Sequence, residues 1–106
     1  MNNYQEKISK LNQENNIVLY MKGSQDFPQC GFSAMTCQIL NNLGVEFLDI
    51  NVLQDMDLRQ AIKEYSDWPT IPQLYIKNEF IGGCDIVKEM AQSGELESLL
   101  KSKSLL

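Results

Sequence analysis

The chain has three cysteines, Cys30, Cys37 and Cys84, and no histidine. Cys30 opens the tetrapeptide Cys30-Gly31-Phe32-Ser33, just before a run that reads as a helix. A Cys-x-x-Cys at that place would indicate a dithiol redox site. Here a serine holds the second position, so one nucleophilic thiol is kept without a built-in resolving partner. The unpaired N–H groups and dipole of a helix N-terminus favour a thiolate. Gly31 lets the backbone come close. Ser33 can cap the helix or donate a hydrogen bond to the sulfur, and Phe32 is expected to shield one side. The alternative is a buried structural cysteine. The position of Cys30, between Pro28-Gln29 and a helix start and off any apolar face, argues against it.

Four further features can serve a ligand at this thiol. Lys22 directly follows an apolar run, at the carboxyl end of a strand, where its charge can lower a thiol pKa and bind a carboxylate. Arg59 offers a second carboxylate fork. In Thr70-Ile71-Pro72 a proline opens a strand and removes a ladder N–H, which implies a special turn. X-Pro bonds are ordinarily trans, but beside the other motifs a cis Ile71-Pro72 bond is expected, leaving the Ile71 backbone to pair with an extended peptide. Gly82-Gly83-Cys84-Asp85 combines close backbone approach with a helix start, a ready carboxylate site. Asp85 can be the N-cap there and can also meet an ammonium. Taken singly, each has a bland reading: a solvated lysine, an exposed arginine, an ordinary turn. Taken together they ask for one ligand with two carboxylates, an ammonium, a peptide backbone and a thiol. Glutathione has all of these groups.

The elements that must position these residues follow from the apolar spacing. Tyr4, Ile8 and Leu11 mark an amphipathic helix ending near Asn12–Asn16. Ile17–Met21 reads as a buried strand. Ser33 to Leu43 reads as a helix with Ala34, Met35, Cys37, Ile39 and Leu40 inward and Gly44 as its C-terminal cap. Val45–Ile50 is a second strand, and Asp55 caps a helix from Met56 to about Tyr65. Gln73–Lys77 and Phe80–Ile81 are strands joined by a hairpin at Asn78-Glu79, which lacks the favoured glycine. A helix from about Ile86 to Ala91, broken by Gly94, and a face at Leu96, Leu99 and Leu100 complete the chain. Cys37 belongs to the core, and Trp68 is expected to pack under the Pro72 loop. The order αβαβαββα(α) predicts an α/β fold, one mixed four-stranded sheet flanked by helices.

Composition narrows the function. The 106 residues fit one domain, 1–106, and a 43% apolar content fits a packed core. Nine basic residues against fourteen acidic ones leave a net charge of −5, which argues against a nucleic-acid surface. Without histidine, any metal must be held by thiolate, carboxylate or an outside ligand. Three cysteines without framework spacing suggest reduced thiols in a cytoplasm rather than a secreted scaffold. The stretch Met1–Glu6 lacks the basic and apolar regions of a signal segment, and Ile17–Met21 is too short to span a membrane.

Four motifs in order, Met21-Lys22-Gly23, Cys30-Gly31-Phe32-Ser33, Trp68-Pro69-Thr70-Ile71-Pro72-Gln73 and Gly82-Gly83-Cys84-Asp85-Ile86, cover nearly the whole length. In them the chain resembles the monothiol glutaredoxins of the CGFS class, in the single-domain form. The resemblance implies a thioredoxin-like fold. It implies glutathione contacts at Lys22, Arg59, Ile71, Cys84 and Asp85, supported by Gly31, Phe32, Ser33, Thr70, Pro72, Gly82 and Gly83. It implies that Cys30 is the active thiol and also a ligand to a [2Fe-2S] cluster shared by two subunits and two glutathiones. Four sulfurs are needed, and one reliable cysteine per subunit is available. A homodimer when loaded, a monomer when empty, and BolA-like and iron–sulfur assembly or recipient partners are implied as well. Two activities are carried forward: glutathione-dependent cluster carriage, and removal of glutathione from mixed disulfides through Cys30, for which one thiol suffices.

Overall fold

The computed structural model describes residues 3–106; Met1 and Asn2, the first residues of the stretch read for a signal segment, lie outside them. The elements run α1 (Asn3–Glu14), β1 (Ile17–Met21), α2 (Gly31–Leu43), β2 (Leu48–Asn51), a 3-10 turn (Val52–Gln54), α3 (Met56–Ser66), β3 (Gln73–Ile76), β4 (Glu79–Gly82), α4 (Cys84–Ser93) and α5 (Glu95–Ser102). The sheet order is β2-β1-β3-β4. β1 pairs parallel with β2 and antiparallel with β3, and β3 pairs antiparallel with β4.

All five residues of β1 are buried, as a central strand covered on both faces requires. Strand alternation sends Ile17, Leu19 and Met21 to one core, against α2, α4 and α5. Val18 and Tyr20 go to the other, against Ile8 of α1 and Leu58 and Ile62 of α3. Cys37 is 3% exposed in the first core, with its sulfur 3.5 Å from that of Met21.

Several boundaries shift from the predicted ones. β2 begins at Leu48, so Val45–Phe47 is connection. α2 begins at Gly31 and buries Ser33, Thr36, Cys37 and Leu40. Met35, expected inward, is 39% exposed. The apolar residues alone placed that helical face one position off, because two polar residues, Ser33 and Thr36, belong to the buried stripe. Asn12 was assigned to a polar run but is 1% exposed and accepts a hydrogen bond from the Tyr20 hydroxyl at 2.8 Å. The hairpin turns on Lys77 and Asn78, both at positive φ, not on Asn78-Glu79. Ile76 therefore pairs with Glu79. α4 begins at Cys84, two residues earlier than predicted. Its N-cap is Gly83, so Asp85 lies in the first helical turn and is not the cap.

The candidate thiol and ligand cleft

The carboxyl end of β1 leads into the loop that carries Cys30. The loop folds back on itself: Gln29 N–H donates to Lys22 O at 2.9 Å, and Gly23 bridges to Pro28. Gly23 is required there. It sits at φ 88, and a Cβ would stand 2.4 Å from Phe27 O. The chain enters α2 with Cys30 as N-cap in extended conformation and with no side-chain cap. The first-turn amides of α2 are therefore left to face the sulfur.

Cys30 is a half-buried free thiol. Burial pushes its pKa up, but the backbone N–H groups of Ser33 and Phe32, the Ser33 hydroxyl and the Lys22 charge outweigh that and hold it below the ordinary thiol value. Ser33 is fully buried, and its oxygen also accepts from Lys22 N–H at 3.1 Å, tying the strand end to the helix start. It bonds toward the sulfur and does not cap the helix. Phe32 remains 62% exposed.

Beside the thiol lies a cleft of about 530 Å³. Of the predicted residues, Lys22, Phe32, Arg59, Thr70 and Ile71 line it, as do Pro72, Gly83, Cys84 and Asp85. Cys30, Gly31 and Ser33 are not among its lining residues; they adjoin Phe32 in the chain, and Ser33 is fully buried. Gly82 is behind it: at φ 149, its Cβ would meet that of Ile86 at 2.9 Å, so its close approach is to α4. The Ile71-Pro72 bond is cis. Gly83 is a tight fit too, since a Cβ there would lie 3.3 Å from Pro72 O and 3.4 Å from Trp68 Nε1. Lys63, Trp68, Pro69 and Ile86 also line the cleft and were not foreseen. Lys63 carried a readable signal, because i+4 from Arg59 shares its helix face. The Trp68 ring packs with its centroid 5.7 Å from that of Phe80.

The cleft is cationic and its donors are unspent. Lys22, Arg59 and Lys63 face one acid, Asp85. Arg59 Nε is buried and has no hydrogen-bond partner. Gly83 caps α4 without a side-chain bond, so the first-turn amides of that helix also point outward unpaired. Such a site suits a carboxylate-bearing ligand next to a reactive thiol. Among the described residues no three His, Cys, Asp or Glu side chains converge to hold a metal ion.

The glutaredoxin family pattern matches residues 17–81, from β1 into β4. A probable monothiol glutaredoxin 2 of Rickettsia typhi is 58% identical over 99 residues, covering 93% of this chain and 89% of that protein. The chain belongs to the monothiol glutaredoxins. Among solved glutaredoxins, reduced poplar apo GrxS14 superposes with a TM-score of 0.82 at 49% identity, covering 92% of this chain and 90% of that one. A monomeric truncated mutant of Trypanosoma brucei 1-C-Grx1 reaches 0.88 at 38% identity, covering 96% and 93%. The glutaredoxin sheet, the thioredoxin-like fold, is therefore the frame that holds the thiol and the cleft together. Among the described residues no helix is long and apolar enough to cross a membrane.

Proposed function

We propose that this glutaredoxin, acting as one domain, binds glutathione in the cleft and uses it to hold and hand on a [2Fe-2S] cluster at Cys30. The observation that carries the reading is the pairing of one activated thiol with a cationic cleft in which Arg59 Nε stands buried and unpartnered. Lys22 and Arg59 take one glutathione carboxylate, and the first-turn amides of α4 at Cys84 and Asp85 take the other. The Asp85 carboxylate takes the ammonium, and the Ile71 backbone pairs with the tripeptide backbone. Gly83, Thr70 and Pro72 shape the floor. Bound glutathione supplies a second thiolate beside Cys30.

The cluster is cargo. It needs four sulfurs, while this chain offers one activated, half-buried thiol two residues from Phe32 of the cleft. Two subunits, each giving Cys30 and one glutathione, complete the set, and ligands that exchange with solvent suit transfer over storage. The loaded form is a homodimer and the empty form a monomer. BolA-like and iron–sulfur assembly or recipient proteins are the partners, in a cytoplasm-type reducing compartment. A helix-terminal, low-pKa thiol also favours a second reading, exchange with glutathione mixed disulfides.

Anaerobic reconstitution with iron, sulfide and glutathione separates them. The expected product is a coloured dimer that requires glutathione and is lost in Cys30→Ser. A colourless monomer with rapid turnover of a glutathionylated substrate supports the disulfide activity. Lys22→Ala weakens glutathione binding; unchanged affinity by calorimetry overturns that role.

A further inference from the structure

β2 is an edge strand whose four residues are all half-buried. Leu48 and Ile50 pack on the α1–α3 core. The opposite face continues the surface of Leu19 and Met21, with which Asp49 and Asn51 are in register. A core would be extended by apolar residues at those two positions. Instead there are an acid and an amide, and both are spent on the loop between Lys22 and Cys30. Asp49 accepts from Gln25 twice, from the backbone N–H at 2.9 Å and from Nε2 at 3.0 Å. Asn51 Oδ1 accepts from Gly23 N–H at 3.0 Å and from Leu53 N–H at 3.0 Å.

We propose that Asp49 is a positioning residue: by latching Gln25 it fixes the loop that presents Lys22 and Cys30. The loop has few other ties to the body of the protein. Its internal bonds, Phe27 N–H to Ser24 O and Ser24 N–H to Phe27 O, fold its tip but anchor it to nothing. The Phe27 ring at that tip is 75% exposed and adds no packing. A side-chain carboxylate engaged at both oxygens is the strongest neutral-donor anchor available at a half-exposed site. The depressed carboxyl of Asp49 agrees: burial pushes it up, and the two Gln25 donors, together with the backbone N–H of Asp49 itself, more than reverse that.

The inference rests in part on the glutathione reading, so its test carries an arm that does not. Asp49→Asn retains an acceptor for the Gln25 backbone but replaces the charge-assisted side-chain bond with a weaker neutral amide–amide one. The swap variant Gln25→Glu with Asp49→Asn returns a charge to the pair, since the amide introduced at position 49 can donate to the carboxylate introduced at position 25. Amide hydrogen exchange by NMR and glutathione affinity by calorimetry are measured on both variants. In Asp49→Asn the Gln25 amide is expected to exchange about tenfold faster, with a severalfold loss of glutathione affinity. The swap restores both. Fast exchange or weak binding that persists in the swap overturns the latch and leaves Asp49 a general structural residue. So does Asp49→Asn exchanging and binding as wild type does. Wild-type protein that binds no glutathione refutes the functional reading instead, and the exchange rates of the two variants then decide the latch alone.

Discussion

Two of the segments that meet at the cleft, the loop that starts at Lys22 and the stretch Trp68 to Pro72, are irregular walls held in place by different chemistry. The thiol wall, Lys22 to Cys30, hangs from half-exposed polar side chains of an edge strand, Asp49 and Asn51. The far wall, Trp68 to Pro72, is held by Gln73 of an inner strand, which is fully buried. Gln73 Nε2 donates to Trp68 O at 3.2 Å and Thr70 O at 3.1 Å, while its Oε1 accepts from the Tyr75 hydroxyl at 3.4 Å. A buried, fully used carboxamide is costly to disturb, because each abandoned partner stays out of water. A half-exposed latch gives its partners back to solvent. The far wall is thus held by buried bonds and the thiol wall by bonds that solvent can replace, so the thiol wall should be the easier of the two to loosen.

The largest expected effect follows from the fixed side. Gln73→Ala strands two carbonyls and a hydroxyl and opens a cavity, so unfolding free energy should fall by about 3 kcal/mol in urea denaturation. Glutathione affinity should fall with it, since Thr70 and Ile71 lose their support. Stability that barely changes would mean that the far wall holds itself, and the contrast between the walls would collapse. On the arm, Gly23→Ala forces an L-residue to φ 88 with its Cβ 2.4 Å from Phe27 O. The loop must rebuild, at about 2 kcal/mol. The damage should appear as lost protection at 23–29 with 68–72 unchanged; spread to the far wall would show that the two walls are one unit.

Much of this was legible in the sequence where one residue type answers to one physical demand. β1 was read to its exact ends because a strand buried on both faces is an unbroken apolar run. Asp55 as a cap was read because an aspartate before a helical run commonly accepts from the first-turn amides, as it does from Leu58 N–H, although the same oxygen also accepts from the distant Tyr4 hydroxyl. The cleft residues were gathered because charges and glycines at element ends have few other uses. What stayed hidden was polar groups serving distant backbone. Gln73 looks like a solvent residue and is buried. Asp49 looks like the polar half of an edge strand and is a latch. Ser33 and Thr36 look like a wet helix face and lie in the core side of α2. Their partners are far apart in sequence or are backbone atoms without side-chain identity, and periodicity carries no trace of either.

The thiol beside the cleft can be told apart by pH from the one in the core, using the cysteine that caps α2 and the cysteine inside that helix. Thiolate at Cys30 is favoured, so its alkylation by iodoacetamide should show an inflection below the ordinary thiol range, and Ser33→Ala should move that inflection upward. An unmoved inflection removes Ser33 from the thiol's environment. Cys37 behaves oppositely: burial first, then the Asp49 charge, pushes it up to about 11. A raised folded pKa contributes stability that is present below the unfolded value of about 8.5 and is lost as pH rises through the folded one. Urea midpoints should therefore drop between pH 9 and 11, and the drop should be shallower in Cys37→Val. An equal slope in both proteins would assign the loss to other groups, such as Tyr20, whose burial pushes its hydroxyl higher still.

The smallest effect is a control remote from both walls. Lys77 and Asn78 turn the β3–β4 hairpin with φ of 51 and 63, a two-residue turn of the kind that asparagine followed by glycine fills best. Asn78→Gly removes the Cβ penalty at the second position but releases backbone entropy in the unfolded chain, so the net gain should be only about 0.5 kcal/mol. Because Ile76 and Glu79 close this turn at the opposite end of β3 from Gln73, protection of 23–29 and of 68–72 should both stay at wild-type values. If stabilising the hairpin instead tightens residues 68–72, then β3 transmits strain along its length and the far wall is set partly by the turn. In that case Gln73 would be one of two supports, and the cost of Gln73→Ala should shrink measurably in the Asn78→Gly background.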